Sequence, residues 1–338
     1  MPSGLFRKAN IGKSNTRYID HSCPPPAQRV SWGTMIIDCH TSIWQSPEQL
    51  GREAINRIAQ PTRFGHEQIR LLPKADTASH WLACEPVQRC FVLGFKSRNL
   101  GAYIPNDLIA DYCSEHADQM IGFAGLDPTE PEALAQVAEI GRSTFLKGLV
   151  ISPAAQDIHP CDTQAMRIYE AAAALKLPVI FTSGPYLSAH TRLEYARPLL
   201  LDEIARSFPD LKLVISHLGY PWVDETLTLL AKHNNTYAGI AGLLRRPWIA
   251  WDALLRAYQM QVTSRLLFGS DFPFSSAADC IDTLYNINQF AMGSPMPVIP
   301  REVLRNIVQN DALAALGIHA PSGRTLAAPA KLRRTVRE

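Results

Sequence analysis

The sequence predicts an α/β fold, a closed (β/α)8 barrel of the TIM type, and two observations favour it. Eight short, apolar, β-branched runs alternate with longer stretches of helical periodicity between residues 35 and 318. Such runs are typical of strands that are buried on both faces, as in parallel sheets covered by helices. Neither a GxGxxG nor a Walker-type glycine loop follows the first runs, so a doubly wound open sheet is the weaker alternative.

The eight apolar runs are the predicted strands. Each is shorter than a typical helix and is followed by polar or turn-forming residues. In chain order they cover 35–38, 89–95, 120–127, 145–152, 177–183, 211–217, 235–243 and 265–271. The segment 41–88 is long for one β/α connection, and we expect it to add helices or a lid beside the mouth of the barrel.

Six stretches between the strands have the spacing of amphipathic helices. They cover 105–119, 131–141, 162–176, 199–208, 222–233 and 278–290. In the third, Ala165, Ile168, Tyr169 and Ala172 recur at i, i+3, i+4 and i+7, which places them on one face. Asp162 stands at the start of that stretch and is a suitable N-cap.

The two ends of the chain lack this alternation. Residues 1–34 carry five basic residues, one acidic residue and three consecutive prolines, and residues 319–338 are basic in a background of small residues. We therefore predict a flexible N-terminal extension over 1–34, the barrel over 35–318 and a flexible basic tail over 319–338. Met35 opens the first strand and is an alternative first residue of the protein.

Composition excludes several classes of protein. The chain of 338 residues has 33 Lys+Arg against 31 Asp+Glu and is 46% hydrophobic, with a mean hydropathy of -0.06. These values oppose whole-chain disorder and a general nucleic-acid binder, and no apolar run approaches the ~20 residues of a membrane span. Seven cysteines without a CxxC pair, and no signal-peptide core, predict reduced thiols and a cytoplasmic location.

Titratable side chains follow three of the predicted strands, at the carboxyl ends where the active site of such a barrel lies. Asp38 and His40 end the first strand, His217 the sixth and Asp271 the eighth. We expect both imidazoles and Asp271 to converge on the barrel axis. Taken singly, each histidine could bond a loop carbonyl, Asp271 could cap the next helix, and Asp38 could hold the first loop in shape.

Several sequence blocks resemble the amidohydrolase-related metal-dependent hydrolases of TIM-barrel fold, the branch that includes aminocarboxymuconate-semialdehyde decarboxylase. They include IIDCHTSIW, FLKGLVISP, ALKLPVIFTSGP, LKLVISHLGYPW and RLLFGSDFPF, and the similarity covers about 35–318. The resemblance implies a barrel enzyme that uses metal-assisted chemistry at its mouth on a small organic substrate.

The metal ligands of this family are present only in part. Its paired histidines after the first strand are matched by His40, but Ser42 stands at the second position, and Thr182 replaces the histidine after the fifth strand. His217 and Asp271 are retained. The resemblance implies His40, His217 and Asp271 as the remaining ligands of one divalent metal, zinc or manganese. Whether this set binds a metal stays open, because hydroxyls are poor substitutes for imidazole.

The retained residues are compatible with three functions. Our first interpretation is a hydrolase of a small, carboxylated lactone, ester or amide, in which Asp271 activates water and His217 polarises the carbonyl or protonates the leaving group. A decarboxylase, in which the same residues protonate the carbon that loses carbon dioxide, is the alternative from the same family. A non-catalytic pseudoenzyme that binds a metabolite is the third.

Further residues are candidates for contact with the substrate. Trp44 follows the first strand, and Tyr186, His190 and Arg192 follow the fifth, where Arg192 could bind a carboxylate. We expect a small-molecule substrate and neither nucleic acid nor membrane as partner, and no motif specifies the homo-oligomer that the family would allow. No partner is evident for the other histidines, namely His66, His80, His116, His159, His233 and His319.

Overall fold

Eight parallel strands form one sheet that curls into a nearly closed barrel with helices between the strands, as the sequence predicts. The computed structural model describes residues 35–51, 73–182 and 188–319. The predicted extension 1–34 and all but the first residue of the predicted tail lie outside these ranges. The strands are β1 Ile37–Ser42, β2 Arg89–Leu93, β3 Met120–Gly125, β4 Leu146–Ile151, β5 Val179–Phe181, β6 Leu213–Ile215, β7 Thr236–Gly239 and β8 Leu266–Leu267.

The last strand meets the first through backbone hydrogen bonds rather than a regular ladder. The Asp271 N–H donates to the His40 carbonyl at 3.0 Å, and the Ser42 N–H donates to the Phe272 carbonyl at 3.0 Å. A parallel bridge between Thr41 and Phe272 adds to this contact. The residues that close the barrel are therefore neighbours of the predicted site residues.

Helices cover the outside of the barrel and follow the strands in chain order. They are α1 Thr77–Ala83, α2 Asn106–Glu115, α3 Ala133–Arg142, α4 Pro153–Gln156, α5 Thr163–Ala174, α6 Asp202–Ser207, α7 Val223–Lys232, α8 Pro247–Gln259, α9 Ala277–Tyr285, α10 Arg301–Val308 and α11 Ala312–Leu316. An antiparallel hairpin, Lys96–Ser97 with Ala102–Tyr103, follows β2. Among the described residues, no helix is long and apolar enough to cross a membrane.

Short 3-10 helices connect several of these elements. They are Pro47–Leu50, Leu193–Ala196, Pro198–Leu201, Ser216–Gly219, Leu243–Arg245, Thr263–Arg265 and Ile287–Ala291. The predicted helix over 199–208 is thus divided between a 3-10 turn and α6, and the one over 278–290 ends as a 3-10 turn. The part of segment 41–88 that is described contains Pro47–Leu50 and α1, as expected for added helices.

Helix α5 shows how the sequence pattern becomes packing. Asp162 is its N-cap, and its carboxylate accepts the Gln164 N–H at 2.9 Å, as predicted. The four apolar residues of the predicted stripe are the ones buried in this helix: Ala165, Ile168, Tyr169 and Ala172. The stripe packs on the sheet because alternate strand residues point outwards towards the helices.

The other set of alternate strand residues fills the barrel interior. Phe91 of β2 and Phe123 of β3 pack with their ring centroids 4.8 Å apart, and smaller aliphatic side chains such as Ile180 and Val214 complete the layer. Leu316 of α11 belongs to the same apolar cluster, so the last helix contributes to the barrel interior. Apolar side chains fill the barrel interior, so a polar site can lie only at the carboxyl ends of the strands.

Helix α1 is anchored to the barrel by a fully buried histidine, His80, for which the sequence suggested no partner. Its Nε2 lies 2.7 Å from the Thr41 hydroxyl, and its Nδ1 lies 2.9 Å from the Tyr112 hydroxyl. Burial, with a smaller contribution from His116, lowers the pKa of His80 to about 3. The ring is therefore neutral in the folded protein near neutral pH.

This neutral histidine makes stability depend on pH. Its pKa is about 3 in the folded chain against 6.5 for the free side chain, so below about pH 6.5 the unfolded state binds a proton that the folded state excludes. We expect the free energy of unfolding to decrease through this contribution as the pH falls, by up to about 1.4 kcal/mol per pH unit. Urea unfolding between pH 8 and pH 5 measures the slope.

Two variants isolate the contribution of His80. His80→Gln removes the titrating ring, so its unfolding free energy should decrease less steeply with falling pH than that of the wild type. Tyr112→Phe removes one hydrogen bond but keeps the ring, so it should be less stable at all pH values and keep the wild-type slope. Equal slopes for the wild type and His80→Gln would show that His80 is not held neutral.

Candidate active site

The structure brings His40, His217 and Asp271 together at the carboxyl ends of β1, β6 and β8. One ligand atom from each of the three lies within 4.8 Å of the others. The His40 Nε2 is 3.8 Å from the Asp271 Oδ1, and the two imidazole centroids are 4.7 Å apart. The side chains therefore meet at one point, as the strand-end argument expects.

Unusual backbone conformations aim two of these side chains. His217 has φ 55° and Asp271 has φ 68°, both in the left-handed region that non-glycine residues rarely adopt. Such conformations cost about 1–3 kcal/mol each and occur where surrounding contacts impose them, frequently at functional sites. Gly242 packs against both residues, and a Cβ there would lie 3.0 Å from the Asp271 Oδ2 and from the His217 Nδ1.

Asp38 braces the two strand ends that carry His40 and Asp271. Its Oδ1 accepts the N–H of His40 at 3.1 Å and the N–H of Ser270 at 2.9 Å. The side chain is buried, which raises its pKa to about 6, and Asp38 is not among the residues that line the cavity described below. From the sequence, Asp38 could either take part in the reaction or hold the first loop in shape. These contacts match the second role.

A hydrogen bond orients the His217 ring, and burial lowers the pKa of His40. The His217 Nδ1 lies 2.8 Å from the Ala241 carbonyl and donates its proton there, so in the neutral ring Nε2 keeps a free lone pair. Burial, with a smaller contribution from His217, lowers the pKa of His40 well below its usual value. Each ring, when neutral, can therefore present one nitrogen lone pair as a ligand.

Asp271 is the acid of the cluster and is not a helix cap. The alternative that it caps the following helix is wrong, because the side chain of Ser276 caps α9 by accepting the Asp279 N–H. Burial raises the pKa of Asp271, while His217 and Arg245 act in the opposite direction. Burial thus favours the protonated carboxyl of Asp271, and the two neighbouring cationic groups favour the carboxylate.

A cavity opens onto the cluster, and the space between its lining atoms is about 430 Å³ with open solvent included. Its walls are mostly apolar and aromatic, and its polar groups are gathered around the cluster. The described residues that line it are His40, Ser42, Trp44, Leu50, Leu93, Gly94, Phe95, Ile104, Val150, Thr182, Asp271 and Phe274. Pockets for small molecules commonly have this composition, with few polar groups in an apolar wall.

The predicted substrate contacts fall in different places. Trp44 lines the cavity, with its ring centroid 6.3 Å from that of Phe274. Arg192 is half-exposed, and its Nε lies 3.1 Å from the Asp157 Oδ1, so its guanidinium is already bound to a carboxylate. His190 is exposed, and Tyr186 lies outside the described residues. Their roles in binding stay predictions.

Arg245 is the residue at the site that the sequence argument missed. It follows β7, its Nη2 lies 3.8 Å from the Asp271 Oδ2, and its guanidinium stacks over the Phe274 ring at 5.2 Å. Arg245 lies two residues after the seventh predicted strand, 235–243. It therefore occupies the same kind of position as the predicted site residues, which follow the first, fifth, sixth and eighth strands.

The side chains present fit a divalent cation. Two imidazoles and one carboxylate form a three-ligand set that leaves positions open for substrate or water, as catalytic zinc sites do. Ser42 and Thr182 line the same cavity as His40, so two hydroxyls stand where the family would supply imidazoles. The donor set is therefore sufficient in number but weaker than a complete family site.

Comparison with known proteins agrees with this architecture. The family model described as amidohydrolase matches residues 37–318, and no curated protein sequence matches the chain. An uncharacterised TIM-barrel protein from Bordetella bronchiseptica is 20% identical, with a TM-score of 0.62 over 83% of this chain and 99% of that one. At such identity the likeness shows the fold.

Two other solved structures of similar fold have descriptions that name a reaction. A dihydroxybenzoic acid decarboxylase from Polaromonas sp. JS666, with bound manganese and 2-nitroresorcinol, is 16% identical with a TM-score of 0.60, covering 84% of this chain and 97% of that one. A probable 2-pyrone-4,6-dicarboxylic acid hydrolase from Acinetobacter baumannii, with bound citric acid, is 14% identical with a TM-score of 0.58, covering 83% and 99%.

Metal binding tests the donor set directly. We expect His40→Ala to weaken Mn²⁺ binding by at least about 100-fold, since the loss of groups that only support the ligands costs about 10–100-fold. Ser42→His should strengthen it by adding an imidazole beside His40. Isothermal titration of the purified protein with Mn²⁺ measures both affinities.

The control for this experiment is a histidine that does not belong to the cluster. His233 follows the C-terminal end of α7, where its Nε2 bonds the Asp202 Oδ1 at 2.7 Å, so His233→Ala should leave the affinity unchanged. Equal affinities for the wild type and His40→Ala would exclude the proposed donor set.

Proposed function

The chain belongs to the amidohydrolase family, and from that premise we propose that it is a metal-dependent decarboxylase of a small hydroxylated aromatic carboxylic acid. The observation that carries the proposal is the cavity, whose apolar and aromatic wall faces one cluster of polar groups. A ring would fill the apolar part and place its carboxyl group at the cluster. This choice replaces hydrolysis, our first interpretation from the sequence.

Physical chemistry favours loss of carbon dioxide in such a cavity. An apolar wall destabilises the charged carboxylate of the substrate. It does not destabilise the products, because carbon dioxide and the phenol are neutral. Hydrolysis needs a water molecule held and activated near the scissile bond, and the two lost family ligands, Ser42 and Thr182, weaken the set that would activate it. The manganese and the nitroresorcinol in the similar Polaromonas decarboxylase support the proposal.

Each site residue has a part in this proposal. His40 and His217 would hold the metal, which would supply positive charge for the oxygen atoms of the substrate, and Asp271 would be the third ligand in its carboxylate form. Trp44 and Phe274 would line the space around the ring and exclude water from it. The guanidinium of Arg245, beside Asp271 and over Phe274, is placed to bind a carboxylate or phenolate oxygen of the substrate.

The proton transfer is assigned to Asp271. Its carboxyl group gives a proton to the ring carbon that bears the substrate carboxylate, and the electron pair of the breaking carbon–carbon bond forms the new carbon–hydrogen bond. Carbon dioxide leaves, and Asp271 is reprotonated from solvent. His217 is held by Ala241 with its Nε2 towards the cluster, so it keeps the carboxyl and the substrate oriented.

Isotope incorporation distinguishes decarboxylation from hydrolysis. With Mn²⁺ present and a panel of hydroxybenzoates that includes 2,6-dihydroxybenzoate, we expect carbon dioxide release and a phenol that carries one deuterium on the ring when the reaction runs in D2O. Mass spectrometry of the product and a carbonate assay measure this. Asp271→Asn should lower kcat by about 10²–10⁴-fold, as expected for the loss of a general acid.

The same assay has two outcomes that would overturn the proposal. Turnover of 2-pyrone-4,6-dicarboxylate or another lactone, with uptake of water and no carbon dioxide, would identify a hydrolase. No turnover of either class by protein that binds Mn²⁺ would favour a metabolite-binding protein.

Arg245 is predicted to act on substrate affinity. Arg245→Ala should raise KM by about 10–100-fold, since a charge-assisted hydrogen bond pair to an oxyanion contributes about 1.5–3 kcal/mol. Arg245→Lys should recover part of this, because Lys keeps the charge but not the paired donors. Steady-state kinetics measures both. An unchanged KM with a reduced kcat would mean that Arg245 acts on Asp271 and does not bind the substrate.

A further inference from the structure

A chain of buried hydrogen bonds runs behind the β1 end of the site. The Thr41 hydroxyl lies 2.6 Å from the Phe91 carbonyl, which can only accept, so Thr41 donates there. The oxygen of Thr41 must then accept a proton from His80, whose Nε2 is 2.7 Å away. The Nδ1 of the neutral ring is left to accept from the Tyr112 hydroxyl at 2.9 Å. Each donor and acceptor in the chain is therefore fixed.

His80 contacts both strand ends that close the barrel at the site. Thr41, which it bonds, lies between His40 and Ser42 in β1. Its ring also packs edge-on against Phe272, the residue after Asp271, with centroids 5.1 Å apart and planes at 78°. Phe272 in turn accepts the Ser42 N–H. One ring thus touches the residues next to two of the three cluster members without lining the cavity itself.

We propose that His80 is a positioning residue of this site, which holds the ends of β1 and β8 in register through Thr41 and Phe272. It has no free donor or acceptor left for a substrate, and α1 carries it in from the connection between β1 and β2. The loss of the imidazole would leave the buried Thr41 oxygen without its donor and would leave a gap beside Phe272. His40 and Asp271 would then lose their fixed separation.

The inference rests on the proposed function only for its metal readout, so we test it with two measurements. The first is Mn²⁺ affinity by isothermal titration. The second needs no metal: the imidazole signals of His40 and His217 in protein labelled with [15N]histidine. If His80 only stabilises the fold, its substitution should lower stability but leave the Mn²⁺ affinity and the histidine signals of the folded protein unchanged.

Two pairs of variants separate the bond from the bulk of the side chain. His80→Leu removes the donor, whereas His80→Gln keeps an N–H that can reach Thr41. Thr41→Val is nearly isosteric and removes both the acceptor for His80 and the donor to Phe91, whereas Thr41→Ser keeps both, so this pair tests the proposal if His80→Leu does not fold. The matched control is Thr236→Val, because the Thr236 hydroxyl is also buried and bonded to carbonyls, at the opposite end of the barrel in β7.

We expect His80→Leu and Thr41→Val to shift the His40 signals and to weaken Mn²⁺ binding by about 10–100-fold. His80→Gln and Thr41→Ser should stay within about threefold of the wild type, and Thr236→Val should lose stability alone. Folded Thr41→Val protein with wild-type signals and affinity would overturn the proposal. Failure of the wild type to bind Mn²⁺ would overturn the metal-dependent function, while the histidine signals would still decide the role of His80.

Discussion

One buried carboxylate, that of Asp38, joins the first and last strands of the barrel at the level of the site. Its Oδ1 accepts backbone N–H groups from His40 in β1 and from Ser270 after β8, which are 230 residues apart in the chain. Because β8 itself pairs over only two residues, these bonds and the few backbone contacts around them hold the closure. The separation of His40 from Asp271, 3.8 Å between nearest side-chain atoms, depends on that closure.

The site divides its chemistry among three regions. The cluster supplies two imidazoles and a carboxyl group, so it can bind a cation or transfer a proton. Arg245 adds a positive charge next to the acid, where a substrate oxyanion would be bound. The aromatic wall around Trp44 and Phe274 makes part of the cavity apolar. Each region comes from different strand ends, which is how one barrel supports many reactions.

The sequence predicted the eight strands and the meeting of His40, His217 and Asp271, because buried parallel strands have a clear pattern and their ends share one face. Strand and helix limits were less accurate: the eighth predicted strand covered 265–271, but regular pairing ends at Leu267, and the backbone of Asp271 is left-handed rather than extended. His80 could not be assigned a partner from sequence, because its contacts form only when α1 folds back behind β1.

Native-state hydrogen exchange of Asp38→Ala tests most directly whether Asp38 holds the closure. We predict that the amides of Ser42 and Asp271, which bond across the β1–β8 junction, exchange at least about tenfold faster than in the wild type, a change of about 1.4 kcal/mol in opening free energy. The amide of Val179, which bonds the Lys212 carbonyl across the other side of the barrel, should be unaffected. Junction amides as well protected as in the wild type would contradict the account.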